Sequence, residues 1–286
     1  MHEAFHGKTV HGKTVHSKTM RGMTVAALLG FLVGAGTVLQ AQRAPKDVVN
    51  EMLAQERDAA AHKDNFIYLS NERSERTGGH LWTERVVETP FGRVRLLLAE
   101  DSKPLSPERM KQERDRLAND AAHPEAFQKH EQAQKDDEVH ARQMLDLLPK
   151  GFILENIKPQ SEDWHIDFRP DPKYSPSGTE EKVLHGMSGW LLVTQTGMRL
   201  HHIEGRLPAD VGIGFGLVAN VKAGSNFETT KAVEEGQWRT VRVVSDIRGK
   251  AVLFKTISKN EDVVRTEFKR VPNNLTVAQA VEMLER

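Results

Sequence analysis

From Phe152 to Val271 the chain carries a turn signal roughly every ten residues. The signals include Asp171-Pro172, Gln195-Thr196-Gly197, Ala223-Gly224-Ser225, Glu235-Gly236, Arg248-Gly249 and Lys259-Asn260. Between them apolar and polar residues alternate. Trp164, Ile166 and Phe168 fall on one face, with His165, Asp167 and Arg169 on the other. Val241, Val243 and Ile247 oppose Thr240, Arg242 and Asp246, and Val264, Thr266 and Phe268 oppose Arg265, Glu267 and Lys269. A period of two with one wet face is the pattern of antiparallel strands, and it excludes a helical bundle or a doubly wound parallel sheet. About seven strands are expected in this half.

Ahead of this region the period changes. Pro45 to His62 follows the helical repeat through Val48, Val49, Met52 and Leu53. Phe66–Arg76 and Leu81–Thr89 flank Gly78-Gly79 as a hairpin, and Pro90-Phe91-Gly92 turns into a third strand over Arg93–Glu100. Between Ser106 and Asp146, 17 of 41 residues are charged. Ser106-Pro107 opens a helix with a cap and a proline at its first position, and His123-Pro124 interrupts it. This predicts two charged helices, 107–121 and 125–147, forming a solvated insertion. A last helix over 275–285 carries Thr276 and Gln279 at capping-box spacing.

These elements predict an α+β fold, mostly antiparallel β. One large curved sheet, a half-barrel, is covered by the N-terminal helix and the charged helical insertion 107–147. A sheet of this size with an apolar concave face must close on itself or wrap around helices. The expected organisation is a single domain over 45–286.

The first 41 residues read as an address. Residues 6–20 hold three near-copies of a five-residue unit, HGKTV, HGKTV and HSKTM. They read as a His-rich metal tract or, more plainly, as translation ahead of a true start at Met20 or Met23, which makes 1–19 a mis-called start. Gly22 to Gln42 has no charge over 21 residues. As a helix it is about 31 Å long, enough to cross a bilayer. Arg21 precedes the apolar run and small residues follow, the order of a secretory signal. Residues 1–41 are thus a signal peptide cleaved after Ala41, or a retained anchor touching the membrane through residues 22–42. Either way the expected location is periplasmic or inner-membrane anchored, with the domain in the periplasm. What remains holds 36 basic and 39 acidic residues.

Composition removes several classes. Without cysteine there is no disulfide framework, zinc thiolate, cysteine nucleophile or lipidated amino terminus. With Lys+Arg at 40 and Asp+Glu at 40 there is no global field for nucleic acid, so nucleic acid is not an expected partner.

Three stretches resemble a group of uncharacterised bacterial secreted proteins: Trp164–Tyr174 (WHIDFRPDPKY), Ile203–Leu207 (IEGRL) and Ala251–Ile257 (AVLFKTI), with Lys103–Ser106 (KPLS) ahead of the charged helices. That group in turn is similar to the LolA/LolB-type superfamily, carriers of outer-membrane lipoproteins, whose half-barrel the RseB-type envelope sensors share. The resemblance implies an exported binding protein for lipid or lipoprotein acyl chains, or a tethered envelope sensor. Other envelope proteins are further candidate partners.

Candidate chemistry is sparse. His165-x-Asp167 and His202-x-Glu204 put ligand types on one strand face, but charges belong on an outer face anyway. His130-Glu131 opens like a zincin helix without its second histidine, and Ser188 sits ahead of a strand where a nucleophile elbow needs a helix. Gly212, Gly214 and Gly216 lack the dinucleotide spacing. No catalytic residue, metal or cofactor is assigned, and the expectation is a protein that is not an enzyme. The expected ligand-cavity lining is Phe66, Tyr68, Trp82, Trp164 and Trp190, an aromatic wall without a fixed polar partner. A structural protein whose same face forms a filled core is the competing reading.

Overall fold

The computed structural model describes residues 43–213, 219–251 and 256–286. Residues 1–42, with the repeats and the expected signal or anchor, lie outside the described residues, as do Gly214 and Gly216. Gln42–Arg286 forms one compact unit. Among the described residues no helix is long and apolar enough to cross a membrane.

The chain opens with helix α1 (Pro45–Ala61) and strands β1 (Asn65–Ser74), β2 (Leu81–Thr89), β3 (Gly92–Glu100) and β4 (Lys103–Pro104). Helices α2 (Pro107–Ala122), α3 (Pro124–Leu145) and α4 (Leu148–Gly151) follow. Next come β5 (Phe152–Gln160), β6 (Asp163–Pro170), α5 (Thr179–His185), β7 (Ser188–Thr194), β8 (Leu200–Arg206), β9 (Val211–Ile213) and β10 (Ala219–Val221). The chain ends with β11 (Asn226–Glu234), β12 (Gln237–Ala251), β13 (Thr256–Val271) and α6 (Val277–Glu285). The fold is α+β. Its described strands make one open sheet of 13 strands with antiparallel pairings, in the order β4-β3-β2-β1-β13-β12-β11-β8-β7-β6-β5, with β10 and β9 branching from β12. Because β1 pairs with β13, the first meander and the last join into a single sheet.

Local chemistry sets the boundaries. Ser106 caps α2 by accepting the Arg109 amide at 3.2 Å, and Pro124 restarts the helix after His123. Thr276 and Gln279 make the reciprocal capping box of α6. Gly78 and Gly79 take φ of +64° and +81° at the β1–β2 turn, a conformation other residues adopt at a cost.

Two apolar layers lie on opposite faces of the sheet. α1 buries Val48, Val49, Met52 and Leu53 against Phe152, Ile166, Leu191 and Ile203 of the β5–β8 half. On β1–β3, Ile67, Val87, Val94 and Leu96 pack with Leu117 of α2 and with Val277, Val281 and Leu284 of α6. Their neighbours Phe66, Tyr68 and Val86 belong to a separate cluster, since successive strand residues face opposite ways. The charged insertion is therefore divided. α2 lies on the Val87 face, whereas the carboxyl end of α3 reaches the Tyr68 face, where Arg142, Met144 and Leu145 border a cavity.

One alternation expected from sequence is broken. Val264, Thr266 and Phe268 do not share a face. The β1–β13 register slips between Ile67 and Leu69, and Glu267 takes φ +58°. This bulge puts Phe268 and Arg265 on the same wall of the cavity.

Candidate functional site

The face that carries Tyr68 encloses a cavity of about 1000 Å³, at the upper end of the range for small-molecule sites. Its two ends differ in chemistry. At one end the lining is apolar: Leu148, Phe152, Phe168, Leu200, Ile203 and Phe227, contributed by α4, β5, β6, β8 and β11. Four residues opposite one another across neighbouring strands explain the floor. Phe168, Gly189, Gly205 and Phe227 run in register over β6, β7, β8 and β11. A Cβ on Gly189 would lie 1.9 Å from the Glu204 carbonyl oxygen and 2.8 Å from the Phe168 ring, and one on Gly205 would lie 2.5 Å from the Phe227 ring. Both phenyl rings therefore rest on bare backbone.

α1 closes this end through one carboxylate. Glu56 accepts from Arg199 Nε at 2.8 Å and from the Leu200 amide at 3.3 Å, and it pairs with Lys231. Burial alone would raise the Glu56 carboxyl, but Lys231 and Arg199 outweigh it and hold the group below its ordinary value.

The other end is ionic. Arg76 forms a fork onto Glu84 at 2.5 and 3.1 Å and also holds Glu72 at 2.7 Å. Burial works against the charge of Arg76 and of Glu72, yet their hydrogen bonds raise the guanidinium and lower the Glu72 carboxyl. Arg95 meets Glu131 of α3 at 3.1 Å, and Glu131 also accepts the Arg93 amide at 3.0 Å. Arg239 meets Glu88 at 2.5 Å and lies 4.5 Å over the Phe66 ring. Together the lining holds nine lysine or arginine side chains against five glutamates.

Of the expected lining residues, Tyr68 borders the cavity. Phe66 is fully buried beneath it, in edge contact with Phe268 at 6.0 Å. Trp82 shares this face but lies against Arg76, 5.4 Å from the guanidinium, and its Nε1 has no hydrogen-bond partner. Trp164 packs beside the α1 core cluster. Trp190 projects from the opposite face to Leu191. It is stacked between His165 at 5.1 Å and His202 at 4.5 Å and donates to Glu204 at 2.6 Å. The Trp190 ring separates the two imidazoles, so His165-x-Asp167 and His202-x-Glu204 do not converge on one ion. His165 instead holds Asp167 at 2.8 Å, and His202 holds Thr230 at 3.0 Å. Among the described residues, the group with cation-ligand geometry is His80, Glu100 and Asp101 at the rim of β2 and β3.

Sequence reasoning sought an aromatic wall and missed the ionic one. The signal was available in β2. Trp82, Glu84, Val86 and Glu88 alternate, so any face that takes Trp82 and Val86 takes both acids as well. Trp238, which does border the cavity, was also missed.

Comparison with protein-family models, with curated proteins and with solved structures returned no match.

Proposed function

We propose that this is an exported, non-enzymatic binding protein that holds lipid or lipoprotein acyl chains in the cell envelope. In this reading the sheet is a half-barrel. α1 and the carboxyl end of α3 cover its concave face, and residues 1–41 serve as signal peptide or anchor. The observation that carries it is the cavity itself, bordered at its apolar end by Phe152, Phe168, Leu200, Ile203 and Phe227, side chains that also pack with the α1 core. Each methylene buried there contributes about 0.8 kcal/mol, so a long chain binds without any reactive group. The charged side chains at the other end are largely committed to one another in ion pairs, which suits a rigid wall better than proton transfer. The resemblance of Trp164–Tyr174 and Ile203–Leu207 to uncharacterised bacterial secreted proteins, a group similar in element order to the LolA/LolB-type carriers, points the same way.

The test is native mass spectrometry of the protein taken from its own membrane fraction, followed by titration of the delipidated protein with a fluorescent fatty acid. Co-purifying acyl-bearing mass and saturable rebinding are expected. A folded, delipidated protein that binds no acyl chain would replace this reading with that of a structural protein. Export is tested separately. A reporter active only outside the cytoplasm, fused to residues 20–60, should be active.

A further inference from the structure

Among the described residues, Arg265 at the ionic end of the cavity has no ion pair with a carboxylate. Arg76, Arg95 and Arg239 each have one within ion-pair distance. Arg265, on the same wall, makes a single long hydrogen bond, from Nη1 to the Thr240 carbonyl at 3.4 Å. Among the described residues no acid lies within ion-pair distance of it. Beside it are two hydroxyls. Ser70 sits directly opposite Arg265 in the β1–β13 ladder, and Tyr68 is two residues before Ser70 on the same face. Neither hydroxyl has a hydrogen-bond partner among the described residues, and both border the cavity. Burial pushes the Arg265 guanidinium below its ordinary value, with Arg93 adding repulsion, while Glu261, Glu88 and the Tyr68 hydroxyl act the other way. A buried charge with unspent donors around it is costly until an anion arrives. The wider field agrees, since nine cationic side chains of the lining meet seven carboxylates, its own five plus Glu84 and Glu131 behind Arg76 and Arg95, although the chain from residue 42 onward is net acidic.

We infer that the ligand is an amphiphile with an anionic head, whose carboxylate or phosphate docks on Arg265, Ser70 and Tyr68 while its chain lies along Phe168, Phe227, Leu200 and Ile203. This rests on the acyl-binding reading above and adds what that reading leaves open, the charge and position of the head. A guanidinium and two hydroxyls supply a fork of donors suited to either acid.

The experiment compares ligands of one chain length on the delipidated full-length protein. Laurate and dodecyl phosphate carry the two anionic heads, dodecylphosphocholine a zwitterion and monolaurin a neutral head. The expected result is that both anions bind about tenfold or more tightly than monolaurin, the worth of one charge-assisted contact. Whichever anion binds tighter separates a free fatty acid from a phospholipid source. Arg265→Gln should remove the preference for the anions over monolaurin. Should that variant not fold, the wild type still decides. Raising salt from about 0.05 to 0.5 M should weaken the anions and spare monolaurin. Equal binding of neutral and anionic ligands, or a preference that survives Arg265→Gln, would overturn the inference and leave acyl binding intact. Failure of all four ligands would overturn both.

Discussion

Glu88 of β2 and Arg239 of β12 form an ion pair of 2.5 Å although β1 and β13 lie between their strands. Strands in a flat sheet stand about 4.8 Å apart, so the two backbones would be separated by three such spacings. The guanidinium bridges part of that distance by lying over the Phe66 ring at 4.5 Å. Glu88 spends its other oxygen on the Phe66 amide at 3.1 Å. A single pair thus ties the first meander to the last across the cavity floor.

Both members are less than a tenth exposed, so removing Glu88 leaves Arg239 buried without a carboxylate, whereas Glu88 without Arg239 still has Lys63 at 3.5 Å. Glu88→Gln should cost about 3 kcal/mol, Arg239→Met less because Lys63 still neutralises Glu88, and the double variant markedly less than the sum. Urea unfolding of the four proteins of the cycle measures this. Additive losses would show that the two side chains do not depend on each other.

The glycine row makes a second expectation. Gly205→Ala introduces a Cβ about where the Phe227 ring lies, 2.5 Å from its Cε1. The ring must shift, and it borders the cavity. A loss of about 2 kcal/mol in stability is expected, together with weakened acyl binding. Gly197→Ala is the control, because Gly197 takes φ +80° in the β7–β8 turn and would lose stability without touching the ligand.

Much of the fold was legible in the sequence because its signals are local. Ser106-Pro107, His123-Pro124 and Thr276 with Gln279 mark helix ends by hydrogen bonds within four residues. The antiparallel rhythm of Trp164, Ile166 and Phe168 likewise needs no distant partner, and Ile166 and Phe168 are buried as that rhythm requires. The site was less legible, for two reasons. A bulge at Glu267 reverses the alternation of β13, so Arg265, placed by counting on the wet face, faces inward. A strand's charge is also assigned to solvent unless its partner is known, and the partners here are 151 residues apart for Glu88 and Arg239 and 36 apart for Arg95 and Glu131. Trp190 shows the same limit. Its aromatic character suggested a lining residue, but parity with the buried Leu191 places it on the other side of the sheet.

The Glu56 cluster should give stability a defined acid limb. Its folded pKa lies below the ordinary value of 4.5, so the unfolded chain takes up the proton first. The stabilisation is complete above that value and is lost as pH falls through the lower, folded value. With its side chain 13% exposed, Glu56 should stabilise the fold at neutral pH through Arg199 and Lys231. The stability gap between wild type and Glu56→Gln, followed by urea unfolding, should narrow as the pH falls below the ordinary carboxylate value of 4.5. A gap that stays constant would mean that charge at Glu56 is not what fastens α1 to Arg199 and Lys231.

Trp238 supplies a reporter for the site itself. Of the 4 tryptophans, it borders the cavity, whereas Trp164 is packed in the α1 cluster and Trp190 is stacked between two histidines on the far face. An acyl chain entering the cavity displaces water from beside the Trp238 indole and so should shift its emission to shorter wavelength. The shift should disappear in Trp238→Phe and persist in Trp190→Phe, with affinity measured by calorimetry altered less than about threefold in both. Trp190→Phe also separates a bound ligand from a general tightening of the fold, because tightening would be reported from either face. If the emission change follows Trp190 instead, the amphiphile binds the outer sheet surface and the cavity is not the site.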